Sequence, residues 1–324
     1  MCLPPHVRPH NHGVTQKSLL PGPGCPDAER RGLIVAGLAG LAGPVLASGC
    51  VALPRAPEPW EVRLQGSTVA LLGEVHDNAA HHRLRAAIMR RACNAGWRPA
   101  VVMEQFDINR QAEIDRARSD RAFDAAYLIA QAGSSRGWDW KDYEPLITIA
   151  LQFDLPLLAG NVPRLLAARL LRESPQAVFG EQRARELGLD RTPAAEWQAE
   201  QEREIDQAHC GALPRHLWAG MARAQFARDA VMADQLRTQA TRGAVLLAGN
   251  GHVRRDIGVP RWLSPLPAQT LLAVGFVESA AAPPAAETYV DQFDAVVVTA
   301  PARRADPCKD FKAPAERPLV IASR

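Results

Sequence analysis

A glycine followed three residues later by a histidine occurs at two widely separated positions, each directly after a short hydrophobic run. The first tetrad is Gly73-Glu-Val-His76 and the second is Gly249-Asn-Gly-His252. A carboxylate beside an imidazole supports general-base catalysis on water, in which the carboxylate orients the histidine. The same groups can also bind a divalent metal that activates water. The imidazoles of His76 and His252 and the carboxylate of Glu74 are therefore candidates for one chemical site.

The elements that must position these residues are strands. Each run is short, rich in Val and Leu and bounded by glycine, which favours a buried strand. In an open α/β sheet, ligands bind just beyond the carboxyl ends of the strands, where a glycine lets the backbone turn sharply. A further predicted strand, 100–104, ends on Glu104 at the same edge. We therefore expect Glu74, His76, Glu104 and His252 to form one cluster, as catalytic residues or as metal ligands.

These residues also have structural interpretations. A histidine after a strand commonly hydrogen-bonds a turn, and a glutamate at a helix N-terminus is favoured by the helix dipole. His81 and His82 fall in the first predicted helix, beside Arg83 and Arg85. A solvated helix face is the expected place for them, and a position of one of them in the crevice is the alternative. The matched tetrads and the carboxylates at strand ends favour a site over these alternatives.

The wider pattern alternates strand with helix, which predicts an α/β fold with a mostly parallel central sheet flanked by helices. Residues 163–242 show helical patterns and no convincing strand, so we expect an inserted helical subdomain there and a site between it and the sheet. The sheet resumes with the runs 243–248, 269–275 and 293–298. This α/β domain is expected over 67–308, after a tether at 51–66 and before a polar tail at 309–324.

The start of the chain is predicted to be a targeting segment. Residues 1–29 are rich in Pro, His and Gly, and Arg30-Arg31 then precede an apolar run that ends in Ala47-Ser-Gly-Cys50. The run is too short to span a membrane, and its ending resembles a bacterial lipobox. We therefore expect residues 1–50 to be a disordered start and a lipoprotein signal, with lipidation at Cys50. An ordinary cleaved signal with an incidental cysteine is the alternative.

Such a protein would be lipid-anchored in the cell envelope of a bacterium, at the outer membrane or the periplasmic face. Cys93, Cys210 and Cys308 would then lie in an oxidising compartment, which permits one disulfide and leaves one thiol, in a pairing that the sequence does not choose. The net charge of +3 and the absence of a basic run with aromatics argue against a nucleic-acid partner.

Several segments, in this order and spacing, resemble the ChaN family of haem-binding bacterial lipoproteins, within the wider group of Tiki, TraB and erythromycin-esterase proteins. The matching segments are Leu71–Asn78, Val102–Gln105, Trp138–Leu146, Gly160–Arg164, Ala224–Ala233 and Ala248–Val253, with Asp306-Pro-Cys308 at the end. The resemblance covers most of residues 67–308. It implies haem binding linked to iron uptake, by a homodimer that holds haem between protomers.

The resemblance also implies roles for individual residues. In the wider group, paired Gly-x-x-His motifs and a glutamate form a hydrolytic, sometimes metal-dependent site, which carries over to Glu74, His76, Glu104 and His252. Tyrosinate is a known haem ligand, and a ligating tyrosine is expected in the family. Tyr143 lies in a matching segment and is the first candidate. His209 is the second, because a histidine beside Cys210 suggests a soft-metal or haem contact, although a capping histidine beside a buried thiol is the commoner case.

Two main hypotheses follow. The first is a haem-binding envelope lipoprotein without turnover, and the second is an extracytoplasmic metal-dependent hydrolase or peptidase that uses the Glu/His cluster. The cluster contains more catalytic groups than haem binding requires, which keeps the second hypothesis open. An envelope scaffold with a vestigial site is a third interpretation. The sequence contains neither a Gly-x-Ser-x-Gly elbow nor a phosphate-binding loop, which disfavours an α/β-hydrolase and a P-loop enzyme.

Overall fold

The computed structural model describes residues 58–134, 137–263, 266–267, 270–280, 286–306 and 308–309. The predicted signal segment, its lipidation site Cys50 and most of the tail at 309–324 lie outside the described residues. Within the described part of the chain, none of the helices has both the length and the hydropathy needed to cross a bilayer.

The described residues contain a parallel sheet, as the alternation of strand and helix predicts. Its strands are β1 (Val69–Leu72), β2 (Ala100–Asp107), β3 (Leu157–Asn161), β4 (Ala244–Leu247), β5 (Leu271–Glu278) and β6 (Ala295–Thr299). They pair in the order β3-β2-β4-β1-β5-β6, and every pairing is parallel. The two central strands β1 and β4 are buried along their whole length, which explains their continuous runs of apolar residues.

Helices cover both faces of the sheet. They are α1 (Pro59–Gly66), α2 (Ala79–Asn94), α3 (Gln111–Asp120), α4 (Ala125–Ala132), α5 (Trp140–Gln152), α6 (Arg164–Leu170), α7 (Pro175–Phe179), α8 (Glu181–Leu187), α9 (Ala195–Ala208), α10 (Trp218–Thr238) and α11 (Asn250–Val253). Short 3-10 turns lie at Ile108–Arg110, Arg215–Leu217, Val259–Trp262 and Ala286–Tyr289. Helices α2 to α5 bury their apolar residues against one face of the sheet, and the second half of α10 packs on the other.

The predicted tether differs from the structure over its second half. Residues 59–66 form α1, which begins at Pro59, where a missing backbone N–H costs nothing. The side chain of Leu64 is fully buried in the core, and Glu61 forms an ion pair with Arg91 of α2 at 2.7 Å. The prolines of this segment therefore start a helix that belongs to the domain.

The helical subdomain lies between β3 and β4, as predicted. Its core contains Leu170, Leu187, Ile205 and Phe226, contributed by α6, α8, α9 and α10. Helix α10 is 21 residues long: its first half packs in this subdomain, whereas Met232 and other residues of its second half pack against the sheet. A single helix therefore connects the subdomain with the sheet.

The disulfide pairing that the sequence leaves open is Cys210 with Cys308. Their Cα atoms are 5.5 Å apart, and the bond closes a loop of 98 residues from the end of α9 to the segment after β6. The remaining thiol, Cys93, is buried in the core. Reaction of this thiol with an oxidant is disfavoured, because burial raises its pKa.

Candidate functional site

The two Gly-x-x-His tetrads lie side by side, because β1 and β4 are neighbouring strands that pair through to Leu72 and Leu247. Beyond the strands, the backbone N–H of Asn250 donates to the carbonyl of Glu74 at 2.9 Å. The side chain of Asn250 also bonds the backbone of Phe276 in β5. A Cβ on Gly73 would lie 2.1 Å from the Asn250 Oδ1 atom. The first glycine of the motif is therefore required by the close approach of the second tetrad.

Glu74 is fully buried and is surrounded by donors on the α2–α5 side of the sheet. Its Oε1 atom accepts from the Tyr143 hydroxyl at 2.8 Å and from Nδ1 of His76 at 2.8 Å. Its Oε2 atom contacts the buried guanidinium of Arg85, which also donates to the neighbouring Nδ1 of His82. A buried carboxylate is tolerated only with such partners. Because Nδ1 of His76 donates to this carboxylate, Nε2 is the nitrogen left with a lone pair.

His82 and Arg85 support this arrangement from within α2. His82 donates from Nε2 to the carbonyl of His76 at 2.8 Å, so its Nδ1 accepts from Arg85 at 3.0 Å. Burial lowers the pKa of His82, which favours this neutral form. The prediction of a solvated helix face for His81 and His82 is wrong, since their exposed fractions are 0% and 2%. His82 and Arg85 face inward beside Glu74, whereas His81 is buried against Val75 and Thr299.

The solvent-accessible group of this arrangement is His76. Its side chain is 50% exposed, whereas that of Glu74 is 0% exposed. The ring of Trp138 meets the His76 ring edge-on with centroids 4.9 Å apart. Tyr143 lies below, with 1% of its surface exposed and its hydroxyl bonded to Glu74. Burial raises the pKa of Tyr143, so the hydroxyl keeps its proton.

A cavity of about 420 Å³ opens beside His76. It is lined by the β1–α2 turn, the loop before α5 and the first turn of α5, with the residues His76, Asp77, Ala79, Gly137, Trp138, Asp139, Lys141, Asp142 and Tyr143. Among these residues, Trp138 is a half-buried indole and Lys141 is exposed. Lys141 pairs with Asp139 at 2.5 Å, and its side chain is 75% exposed.

Glu104 and His252 form a second arrangement on the α10 side of the sheet. Nδ1 of His252 donates to Asp229 at 2.6 Å, and its Nε2 lies 3.5 Å from Glu104. The second oxygen of Glu104 accepts from the Gly249 N–H at 2.8 Å. Asp229 extends from α10 and is 1% exposed. A histidine is thus held between two buried carboxylates.

The charges of this second arrangement follow from its geometry. Burial alone would lower the pKa of His252, but Glu104 and Asp229 raise it to about 10. Burial would raise the pKa of Glu104, but the charge of His252 outweighs it and holds that pKa well below its usual range. Burial raises the pKa of Asp229 to about 6, against the charge of His252. The two carboxylates therefore favour the cationic form of His252 at neutral pH.

The four predicted residues reach the same edge of the sheet but pair off in two arrangements. Glu74 with His76 lies on one side and Glu104 with His252 on the other, and Gly249 separates them. A Cβ on Gly249 would lie 2.8 Å from Cε1 of His76 and 3.7 Å from Glu104. Among the residues that the structure describes, no group of three or more His, Cys, Asp and Glu side chains is arranged to hold a metal ion. The arrangement of these residues therefore gives the predicted divalent metal no support.

His209 follows the capping interpretation. It ends α9, and its Nδ1 donates to the carbonyl of Ile205 at 2.6 Å. The neighbouring Cys210 is in the disulfide and cannot offer a thiolate to a metal or to haem iron. The disulfide therefore removes the thiol from the expected pair of His209 and Cys210, and a haem contact of His209 stays a prediction.

Sequence reasoning did not predict the roles of Arg85, Asp229 and Trp138. Asp229 is an acid flanked by the apolar residues Ala227, Ala230 and Val231 of α10, and a buried acid requires a polar or ionic partner. His82 and Arg85 are three residues apart and so share one face of α2. Trp138 belongs to a recognised segment, but nothing in its local sequence places it against His76.

The chain matches one protein family and resembles several solved structures. Residues 62–263 match the model of a family described as haem-binding uptake, Tiki superfamily, ChaN. The structure of cofacial heme binding to ChaN of Campylobacter jejuni aligns with a TM-score of 0.56 at 19% identity, over 68% of this chain and 86% of that chain. No curated protein sequence matches the chain.

Two other solved structures align less well. An erythromycin esterase EreC mutant in its open conformation has a TM-score of 0.38 and 11% identity, over 66% of this chain and 70% of that chain. The type III effector HopBA1 has a TM-score of 0.39 and 12% identity, over 74% of this chain and 91% of that chain.

Proposed function

The chain belongs to the haem-binding uptake family ChaN of the Tiki superfamily, and from this premise we propose that it binds haem beside His76 and Trp138. The observation that carries this proposal is the geometry of His76. Its ring is half-exposed at the mouth of a cavity, while its Nδ1 is held by a buried carboxylate. An imidazole held at one nitrogen by a carboxylate is the usual arrangement of a histidine that ligates a metal with the other nitrogen.

The residues of this edge fit a haem group. Haem, when bound, would supply an iron that takes a nitrogen ligand, and a neutral histidine is one of its common protein ligands. Nε2 of His76 can take that role, with Glu74 fixing the tautomer and Arg85 holding Glu74. Trp138 offers an aromatic surface next to the ligand. The support of His76 is buried, because Glu74 and its partners Arg85 and Tyr143 are all shielded from water.

The axial ligand proposed here is His76, in place of the Tyr143 and His209 expected from the resemblance. Tyr143 would have to leave Glu74, lose its proton and reach solvent, and its burial opposes each of these steps. Of the other tyrosines, Tyr127 extends its hydroxyl toward Asp120 at 3.4 Å, at the opposite end of α3 from the site. We therefore assign Tyr143 to the support of Glu74.

A hemin titration followed by visible absorption tests the proposal. We expect the wild-type protein to give a saturable Soret shift, and His76→Ala to lose it. His216→Ala is the matched control, because His216 is an exposed histidine of the helical subdomain, and this variant should titrate like the wild type. Undiminished binding by His76→Ala would overturn the ligand assignment. No saturable binding by the wild type would overturn the haem proposal itself.

We also propose that the protein works as a lipoprotein of the bacterial envelope, anchored at Cys50 and linked to haem or iron uptake. The lipobox-like ending supports the anchor, and the Cys210–Cys308 disulfide fits an oxidising compartment. Metabolic labelling with a palmitate analogue should mark the wild-type chain and leave Cys50→Ala unmarked. Labelling of Cys50→Ala would contradict the anchor.

A homodimer around haem is the accompanying proposal for assembly. The structure of ChaN from Campylobacter jejuni, which has the same fold, is described as one of cofacial heme binding. A half-exposed ligand at an open edge leaves room for a second copy to cover the other side of the haem. Light scattering should then show a dimer in the presence of hemin that dissociates when hemin is removed, and a monomer at saturating hemin would contradict it.

Hydrolysis is the second candidate function, because the Glu74–His76 pair is also an oriented general base. His252 cannot assist as a base, since its two carboxylates keep it protonated. A general ester or peptide substrate should be turned over by the wild type and not by His76→Ala if this function holds. Turnover without saturable hemin binding would favour hydrolysis over haem binding.

A further inference from the structure

The segment after β6 contacts the turn that carries His76. We call residues 299–306, together with Cys308, the strap. Arg304 of the strap donates to both oxygens of Asp77, at 2.6 and 2.7 Å, and to both oxygens of Glu278, at 2.7 and 2.6 Å. Asp77 directly follows His76 in the β1–α2 turn. The guanidinium of Arg304 thus joins the β1–α2 turn to the end of β5.

The turn has further bonds to the same segment. The side chain of Asn78, which also caps α2, donates to Glu278 at 2.6 Å and to the carbonyl of Ala300 at 3.1 Å. His81 accepts from the N–H of Val75 at 3.0 Å and bonds Thr299 at 2.8 Å. The conformation of residues 75–78 therefore depends on strap contacts on one side and on Glu74 on the other.

Glu278 is the point at which these contacts meet. Besides Arg304 and Asn78, it accepts from the backbone N–H of Ala302 at 2.9 Å. The hydrogen bonds from Arg304 lower the pKa of Glu278 to about 2, which indicates a carboxylate that stays charged throughout the physiological range. The far end of the strap is tied to the end of α9 by the Cys210–Cys308 disulfide. The strap is thus fixed at both ends.

From these contacts we infer that Arg304 is a positioning residue for His76: it fixes the turn through Asp77 and Glu278, and the disulfide keeps the strap in place. This inference rests on the proposed function, in which His76 is the haem ligand. The strap lies beyond residues 62–263, which match the family model, so the family assignment does not contain it. Mutation of a residue that hydrogen-bonds a metal-ligating histidine typically lowers metal affinity by about 10- to 100-fold. An effect transmitted through one further residue should lie near the lower end of that range.

Arg304→Gln tests the inference, with Arg303→Gln as the matched control, since Arg303 is an exposed arginine one residue away. We expect Arg304→Gln to weaken hemin binding about tenfold while its melting temperature stays close to that of the wild type. Arg303→Gln should bind hemin like the wild type. Arg304→Lys should restore part of the affinity, because an ammonium can still pair with Asp77 or Glu278. Equal affinities for all three variants and the wild type would overturn the inference.

A readout without haem separates the inference from the proposed function. The imidazole signals of His76, identified by their loss in His76→Ala, report the position of the ring in nuclear magnetic resonance spectra. They should shift in Arg304→Gln and in the Cys210→Ser/Cys308→Ser pair, and not in Arg303→Gln. Unchanged signals in Arg304→Gln would overturn the positioning role even if hemin binds. A shift in a protein that does not bind hemin would retain the positioning role and reject the haem function.

Discussion

Nδ1 of His76 donates to Oε1 of Glu74 across 2.8 Å, and this bond joins a side chain that is half in solvent to one that is fully buried. The buried end belongs to a network with Arg85, His82 and Tyr143. The exposed end presents a single nitrogen beside Trp138. The protein thereby orients one accessible imidazole with buried charges, which suits the binding of a metal-containing ligand.

Removal of the Glu74 charge should destabilise the fold. Glu74→Gln keeps the shape of the side chain but leaves the buried guanidinium of Arg85 without its carboxylate. Loss of one partner of a buried pair costs about 3 to 5 kcal/mol, so we expect the free energy of unfolding in urea to fall by that amount. Glu61→Gln is the control, because the partner of Glu61, Arg91, is half-exposed and the pair should contribute about 1 kcal/mol or less. Equal losses in the two variants would contradict the network.

Gly249→Ala should displace His76. The new methyl group would lie 2.8 Å from Cε1 of His76, and the half-exposed ring can only move outward. We expect hemin affinity to fall about tenfold or more, with a loss of unfolding free energy of about 1 kcal/mol. Gly251→Ala is the control, since its Cβ would meet no atom within 4 Å. If Gly249→Ala and Gly251→Ala bind hemin with equal affinity, the position of the His76 ring has no effect on binding and the prediction is contradicted.

Tyr143→Phe should keep haem binding and lose stability. The variant removes one donor from the buried carboxylate of Glu74, and a hydrogen bond to a charged group contributes about 2 kcal/mol. The Soret spectrum of the hemin complex should match that of the wild type. Urea unfolding and a hemin titration of the same preparation check both outcomes. An unchanged free energy of unfolding would contradict the role of Tyr143 as a partner of Glu74.

The His252 arrangement predicts a loss of stability at alkaline pH. The pKa of His252 rises from 6.5 in an unperturbed histidine to about 10 in the folded protein. Its contribution is therefore complete below about pH 6.5 and is lost as the pH rises through about 10. The difference in unfolding free energy between wild type and His252→Gln should shrink between pH 7 and pH 10. A difference that is constant over this range would contradict a charged His252 between Glu104 and Asp229.

The order of strands and helices could be read from the sequence, because each apolar run is bounded by glycine or a capping residue. The strand order could not be read from it, because β1 and β4 are neighbours in the sheet but distant in the sequence. Leu72, for example, pairs with Leu247. That order also decides which face each glutamate takes. Glu104 shares the face of Val102, toward α10, whereas Glu74 turns toward α2.

The assignment of roles had the same limit. Spacing marked His76 and His252 as equivalents, but their charge states depend on partners from distant helices. Glu104 and Asp229 together raise the pKa of His252, whereas His76 is bonded by Glu74 and its carbonyl accepts from His82. Likewise, the prolines before β1 suggest a tether until Leu64 is seen to be buried.

The identity of the axial ligand tests the central claim most directly. Resonance Raman spectra of the hemin complex, in wild type and in protein with ¹⁵N-labelled histidine, distinguish an imidazole from a phenolate on the iron. We predict an iron–histidine stretching band in the ferrous complex that moves on labelling and is absent from His76→Ala. Phenolate bands that disappear in Tyr143→Phe, with no effect of histidine labelling, would contradict the account.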